Sequence, residues 1–133
     1  CNRCAIVCPH AVIRPVAMTA DELAKAPEDT KSLPMMGLKD LNFVMTVSTL
    51  DCTGCGACAQ VCPGKKGAKA LTMQSIDSQR PKQAVFDYAL TLEDKPEVHE
   101  KFKFTTVKGS QFKQPLLEFS GACAGKACYT AFR

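Results

Sequence analysis

Apolar residues in this chain come in short bursts broken by turn-forming residues, a pattern of brief strands and helices. Ala11-Val12-Ile13 and Ala70-Leu71-Thr72-Met73 are short runs of strand-forming character. Phe43, Met45 and Val47 alternate with Val44, Thr46 and Ser48, which predicts a third strand, and Phe102, Phe104 and Thr106 alternate with Lys103 and Thr105, which predicts a fourth. One helix start is explicit. Thr19-Ala20-Asp21-Glu22 is a capping box, in which the Thr19 hydroxyl accepts from the Glu22 amide and the Glu22 carboxylate accepts from the Thr19 amide. The helix it opens runs to about Ala26 and is stopped by Pro27. Pro34-Met35-Met36-Gly37 reads as a turn whose two methionines are packing residues, Gln83 to Leu92 is mixed, and Glu93-Asp94-Lys95-Pro96 is a loop. Gly109 to Pro115 reads as a connector, placing a boundary near residue 115. No apolar run approaches the roughly 18 to 20 residues that a membrane span needs.

With 133 residues, 46% of them hydrophobic and 23% charged, there is material for one compact domain and the edge of another. The N-terminus lacks the basic and apolar pattern of a signal peptide, so a cytoplasmic protein is expected. The net charge of +4 is spread through lysines such as Lys65, Lys66, Lys69, Lys101, Lys103, Lys108 and Lys113. No aromatic residues interleave with them as a nucleic-acid groove would require. They read as a solvated face, and secondarily as a weak patch for an acidic redox partner.

The nine cysteines change the picture. An odd number at short spacings, without secretory features, argues against a disulfide framework and for metal chemistry. Cys4-Ala5-Ile6-Val7-Cys8-Pro9 recurs as Cys58-Ala59-Gln60-Val61-Cys62-Pro63, and the same offset of 54 carries Cys1 onto Cys55. The second copy is complete, Cys52-x2-Cys55-x2-Cys58-x3-Cys62-Pro63, whereas in the first the counterpart of Cys52 is expected three positions before Cys1. Each copy reads as a cluster loop followed by a strand. Between them, Pro9 to Asp51 is longer than two compact loops need and reads as an insertion with its own structure.

A cubic [4Fe–4S] cluster takes four thiolates, and three closely spaced cysteines on a tight loop can reach three of its irons. In the two-cluster ferredoxin pattern the fourth cysteine of each run ligates the other cluster. One cluster is then assigned to Cys52, Cys55, Cys58 and Cys8, and the other to Cys1, Cys4 and Cys62 with a further ligand before Cys1. Gly54 and Gly56 permit the loop to curl, and Pro9 and Pro63 fix the exits. Structural zinc is the rival reading, but zinc ribbons use cysteines in two pairs, not repeated four-cysteine runs ending in Cys-Pro. His10 and His99 are given no role. No nucleophile and base pair, phosphate-cradling loop or acid–base dyad is present, so the chain is expected to conduct electrons without itself performing acyl chemistry. The expected fold class is α+β: a two-cluster [4Fe–4S] bacterial-ferredoxin-like domain over residues 1–114 with a pseudo-twofold repeat, a helix-containing insertion at about 14–48, and a C-terminal extension.

Several segments resemble the pyruvate:ferredoxin (flavodoxin) oxidoreductases, large 2-oxoacid enzymes that use thiamine diphosphate. They are Cys8-Pro9-His10-Ala11-Val12-Ile13-Arg14-Pro15, Glu22-Leu23-Ala24-Lys25-Ala26-Pro27, Leu50-Asp51-Cys52-Thr53-Gly54-Cys55-Gly56, Val107-Lys108-Gly109-Ser110-Gln111-Phe112, and Gln114 through Gly125. The resemblance implies conversion of pyruvate and coenzyme A to acetyl-coenzyme A and carbon dioxide, with electrons passed singly to ferredoxin or flavodoxin. It further implies a third [4Fe–4S] cluster beside thiamine diphosphate and Mg, a thiamine diphosphate-binding domain beginning in residues 115–133, and a homodimeric full-length enzyme. Cys123 matches the first of two family cysteines at that third cluster. Lys126 stands where the second is expected and Cys128 comes two places later, a departure better explained by a sequence error at the end of a partial gene than by a rearranged loop. A stand-alone two-cluster carrier is the alternative, against which the extension from Gly109 to Gly125 speaks; a zinc-binding interaction module is a third.

Overall fold

A computed structural model of the chain describes residues 1–65 and 67–113. Its centre is a three-stranded antiparallel sheet in the order β1-β3-β2, formed by β1 (Ile13–Met18), β2 (Ser32–Pro34) and β3 (Asn42–Val47). β1 and β3 pair along their whole lengths, from Ile13 opposite Val47 to Met18 opposite Asn42. The Ser48 amide extends the ladder by donating to the Val12 carbonyl at 2.8 Å.

Helices surround this sheet. α1 (Arg3–Val7) precedes β1, α2 (Ala20–Lys25) lies between β1 and β2, and α3 (Ala57–Val61) follows β3. Beyond them come α4 (Ile76–Gln79), a 3-10 turn at Arg80–Lys82, α5 (Gln83–Ala89), α6 (Pro96–Lys101) and α7 (Val107–Lys113). This mixture of helix and strand is the α+β class expected, and the stretch 14–48 holds nearly the whole sheet together with α2.

Both faces of the sheet are covered, which explains why both parities of β3 are apolar or half-buried. On one face Val16, Met18 and Val44 pack with Val85 and Ala89 of α5. On the other, Ile13, Met45 and Val47 meet Cys4, Ala5, Cys8 and Leu71 at one end. At the far end Ala17 and Phe43 meet Val98 of α6 and Phe102 and Phe112. Phe112 is edge-on to Phe43 at 6.1 Å between centroids and stacked on Phe102 at 5.8 Å, geometries favoured by the ring quadrupoles.

The capping box forms as the sequence predicts: the Glu22 amide donates to Thr19 Oγ1 at 3.2 Å and the Thr19 amide to Glu22 Oε2 at 2.8 Å. The other Glu22 oxygen accepts from Lys95 Nζ at 2.8 Å, tying α2 to the loop before α6. The strand expected at Phe43–Ser48 is present as β3, and the loop at Glu93–Lys95 leads to Pro96 at the first position of α6.

Four expectations are corrected. Residues 70–73 form no strand, because the Ala70 and Leu71 amides turn toward the Cys62 sulfur instead of a neighbouring chain. Residues 102–106 form a turn: Thr106 Oγ1 accepts from the Gly109 amide at 3.1 Å and so caps α7, while Phe102 packs inward and Phe104 is 67% exposed. The connector placed at Gly109 onward is helical as far as Lys113; residues 114 and 115 lie outside the described residues. Of the two methionines read as packing residues, Met35 is buried but Met36 is 80% exposed, since the turn at Met36-Gly37 points it away from the sheet. The short β2 and the helices α1, α3, α4, α5 and α6 have no counterpart among the elements that the sequence pattern predicts.

Burial pushes the Glu22 carboxyl up, but the Lys95 ammonium and the Thr19 amide outweigh it and hold it below its ordinary value. A depressed carboxyl contributes stability above its unfolded-state value, near pH 4.5, and loses that contribution as pH falls through the folded-state value. Glu22→Gln, which keeps the cap but not the ion pair, is expected to lower unfolding stability by about 1 kcal/mol at pH 7. In denaturant titrations the wild-type and variant curves should converge below pH 4.

Candidate metal centre

The two cysteine segments adopt the same local conformation. Asn2 (φ 57°) and Gly56 (φ 77°) are left-handed residues at the starts of α1 and α3, and Cys8 and Cys62 close those five-residue helices in extended conformation. Asparagine is one of the few side chains that tolerates the left-handed region. Asn2 is 2% exposed, and its Nδ2 donates to the Lys108 carbonyl of α7 at 2.9 Å. The first helix is thereby anchored to a distant part of the chain. Gly54 is left-handed at φ 71°, as the curl between Cys52 and Cys55 requires.

α1 and α3 pack against each other, so cysteines 54 positions apart in sequence become neighbours. Cys4 and Cys8 are buried, Cys58 and Cys62 half-buried, and Cys1, Cys52 and Cys55 exposed; none of these seven is in a disulfide. Burial pushes the Cys4 thiol up, and repulsion from Cys58 and Cys62 adds to this. Burial likewise raises Cys58, with added repulsion from Cys8, Cys52 and Cys55. Cysteines of the two copies thus lie within one another's fields, Cys4 with Cys58 and Cys62, and Cys58 with Cys8. Cys62 is shifted the other way, because the amides of Gly64 and Leu71, then Ala70, stabilise its thiolate and Lys69 adds a favourable charge.

Among the described residues no three His, Cys, Asp or Glu side chains stand close enough to hold a metal ion as they are placed. A lone zinc would need its sulfurs about 2.3 Å from one centre. A four-iron cluster instead holds each thiolate on a separate iron. Seven free thiols around two packed helix ends, with amides aimed at one of the sulfurs, match that need.

Behind the second cysteine loop lies a buried polar network that the cysteine spacing did not disclose. Gln83, at the start of α5 and 7% exposed, accepts through Oε1 from the Leu50 amide at 3.1 Å and from the hydroxyls of Ser48 and Thr49, each at 3.3 Å. Its Nε2 donates to Asp87 at 2.9 Å, and Ser48 Oγ donates to Asp51 at 2.6 Å. The segment that delivers Cys52 is thus pinned from α5. Arg14, 6% exposed, lies close enough for the Cys8 sulfur to favour its charged form, although burial lowers its proton affinity. Cys123 lies outside the described residues, and His10 and His99 touch no cysteine in any described bond.

Comparison with known proteins follows this geometry. Residues 1–66 match a family of 4Fe–4S dicluster domains. The pyruvate-flavodoxin oxidoreductase of Klebsiella pneumoniae is 52% identical over 125 residues, covering 94% of this chain and 10% of that protein. The pyruvate:ferredoxin oxidoreductase of Moorella thermoacetica is 51% identical over 128 residues with the same two coverages. A pyruvate dehydrogenase [NADP(+)] of Cryptosporidium parvum is 43% identical over 129 residues, covering 94% of this chain and 6% of that protein. The chain spans about a tenth of the length of the first two relatives.

Gln83→Ala strips the acceptor from the Leu50 amide and the Thr49 hydroxyl, while Ser48 keeps its bond to Asp51. It is expected to cost about 2 kcal/mol in chemical denaturation, the usual penalty for buried donors left unpaired.

Proposed function

We propose that the chain, which is 50–52% identical to pyruvate-flavodoxin and pyruvate:ferredoxin oxidoreductases over about a tenth of their length, is the electron-transfer portion of a pyruvate-oxidising enzyme. Cys8, Cys52, Cys55 and Cys58 would hold one [4Fe–4S] cluster. Cys1, Cys4 and Cys62 would supply three ligands of a second, the two halves being related by a pseudo-twofold repeat. The observation that carries this reading is the packing of α1 on α3, which brings two runs of free cysteines from the two copies to one place. A bound cluster supplies one-electron chemistry with little rearrangement, because the charge is spread over its irons and thiolates.

The chain's own residues provide the rest. The paired helices α1 and α3 hold sulfurs from both copies within one another's fields. Gln83 keeps the Cys52 loop in place. Ligation requires thiolates, and the amides around Cys62 favour that form while burial at Cys4 and Cys58 opposes it, so those two depend on the metal's positive charge.

On the same reading, residues 1–114 form the ferredoxin-like unit and 115–133 open a thiamine diphosphate-binding domain. Cys123 helps hold a third cluster near thiamine diphosphate and Mg. Pyruvate and coenzyme A bind in the remaining domains of a homodimeric cytoplasmic enzyme, and ferredoxin or flavodoxin takes the electrons. Among the described residues no helix is long and apolar enough to cross a membrane.

The test is anaerobic reconstitution followed by iron and acid-labile sulfide analysis. About four irons and four sulfides are expected for each intact cluster. Cys8→Ser and Cys52→Ser should abolish the same EPR signal, although the residues belong to different copies, while Cys62→Ser should leave that signal in place. Uptake of zinc without iron or sulfide would overturn the reading.

A further inference from the structure

The two cysteine segments match through their helices and diverge immediately after the proline. In the first, only His10 separates Cys8-Pro9 from Ala11-Val12; in the second, residues 64–69 separate Cys62-Pro63 from Ala70-Leu71. Across this longer exit the chain turns back at its described residues. Lys65 and Ala68 exchange backbone hydrogen bonds, Lys65 N to Ala68 O at 2.8 Å and Ala68 N to Lys65 O at 3.1 Å. Gly64 allows the return with a left-handed backbone at φ 64°, in a place where a Cβ would strike the Ala68 carbonyl. The hairpin delivers Lys69, whose Nζ donates to the carbonyls of Ala59 at 2.6 Å and Gln60 at 3.2 Å. Those are orphan carbonyls at the C-terminal end of α3, the negative end of the helix dipole, and they fix the ammonium at the helix end whose cap is Cys62. α1 is followed by β1 without a hairpin of this kind among the described residues.

We propose that Lys69 tunes the redox potential of the cluster carried by Cys62, raising it by holding a positive charge against that ligand while leaving the Cys8, Cys52, Cys55 and Cys58 cluster untouched. The inference rests on the cluster assignment proposed above. Adding an electron to a cluster makes it more negative, so a fixed cation nearby favours the reduced form. The basic residue near Cys8 is Arg14, which is buried. Lys69 is exposed, so its effect is open to screening by salt, whereas a buried charge is screened much less. The exposed Lys69 thus acts as a positioning residue through Cys62, and the two halves of a repeated sequence become electrically unequal.

The experiment is an EPR-monitored redox titration of the reconstituted full chain as wild type, Lys69→Gln and Lys69→Arg. The Cys62 cluster is identified as the one whose signal is lost in Cys62→Ser. Lys69→Gln is expected to lower the midpoint of that cluster alone, Lys69→Arg to restore it, and the gap between wild type and Lys69→Gln to narrow as ionic strength rises. An unchanged midpoint in Lys69→Gln, or an equal shift of both clusters, would overturn the proposal. Loss of the Cys62 cluster in both Lys69 variants, with iron and sulfide content falling to match, would also overturn it by showing a purely structural clamp. A wild-type chain that takes up no iron and sulfide would instead defeat the cluster assignment itself.

Discussion

The antiparallel pairing of β1 with β3 is the constraint on which the rest depends. Ile13 at the start of β1 lies opposite Val47 at the end of β3, and the ladder is closed beyond them by the Ser48 amide on the Val12 carbonyl. The chain before β1 and the chain after β3 must therefore leave the sheet at the same end. The first carries Cys4 and Cys8, and the second leads within a few residues to Cys52. A register slip by one residue would turn Val44, Thr46 and Ser48 to the wrong face and move the Cys52 loop relative to α1. Burial on both faces of the sheet makes such a slip costly, since Val44 is only 1% exposed and α5 packs directly over it.

Around that end of the sheet, apolar packing and polar bonding divide the work. Ala5, Val12, Ile13 and the half-buried Met45, Val47 and Leu71 form the floor beneath Cys4 and Cys8. The same burial that orders these sulfurs raises the cost of their charged forms. Opposite, the loop before Cys52 is held by hydrogen bonds to Gln83, and Cys52 and Cys55 are exposed at the surface. An arrangement with buried sulfurs on one side and exposed ones on the other suits a conductor, which must exclude water from part of its path and still present an exit to a partner.

Long-range ties reach this site from well outside residues 1–66. Gln83 of α5 grips the loop before Cys52, and the Lys108 carbonyl of α7 accepts from Asn2 at the mouth of α1. Both cysteine segments are thus steadied by helices that follow them in the chain. The relatives' match over 94% of this chain is consistent with residues 67–113 being part of the same unit.

Local chemistry with a fixed spacing was legible without the fold. The repeated cysteine runs announce iron–sulfur ligation, the capping box at Thr19–Glu22 announces α2, and the alternation at Phe43–Ser48 announces β3, because each signal is complete within a few residues. Where two local signals competed, only context decided. Phe102 and Phe104 alternate as a strand would, but among the described residues no strand pairs with them, and the Thr106 cap with the Phe112 contact draws the segment into a turn and helix. Leu71 likewise has the character of a strand residue, yet its amide is spent on the Cys62 sulfur. The parts that no spacing could reveal are those made across long separations. Gln83 beneath Leu50, Asn2 against Lys108, Arg14 near Cys8 and Lys69 over the end of α3 depend on how the helices pack on the sheet. The sequence by itself determined which atoms can bind iron; the tertiary structure decided which of them meet and what charge surrounds them, because ligand identity is a property of single residues whereas proximity and dielectric environment belong to the packed whole.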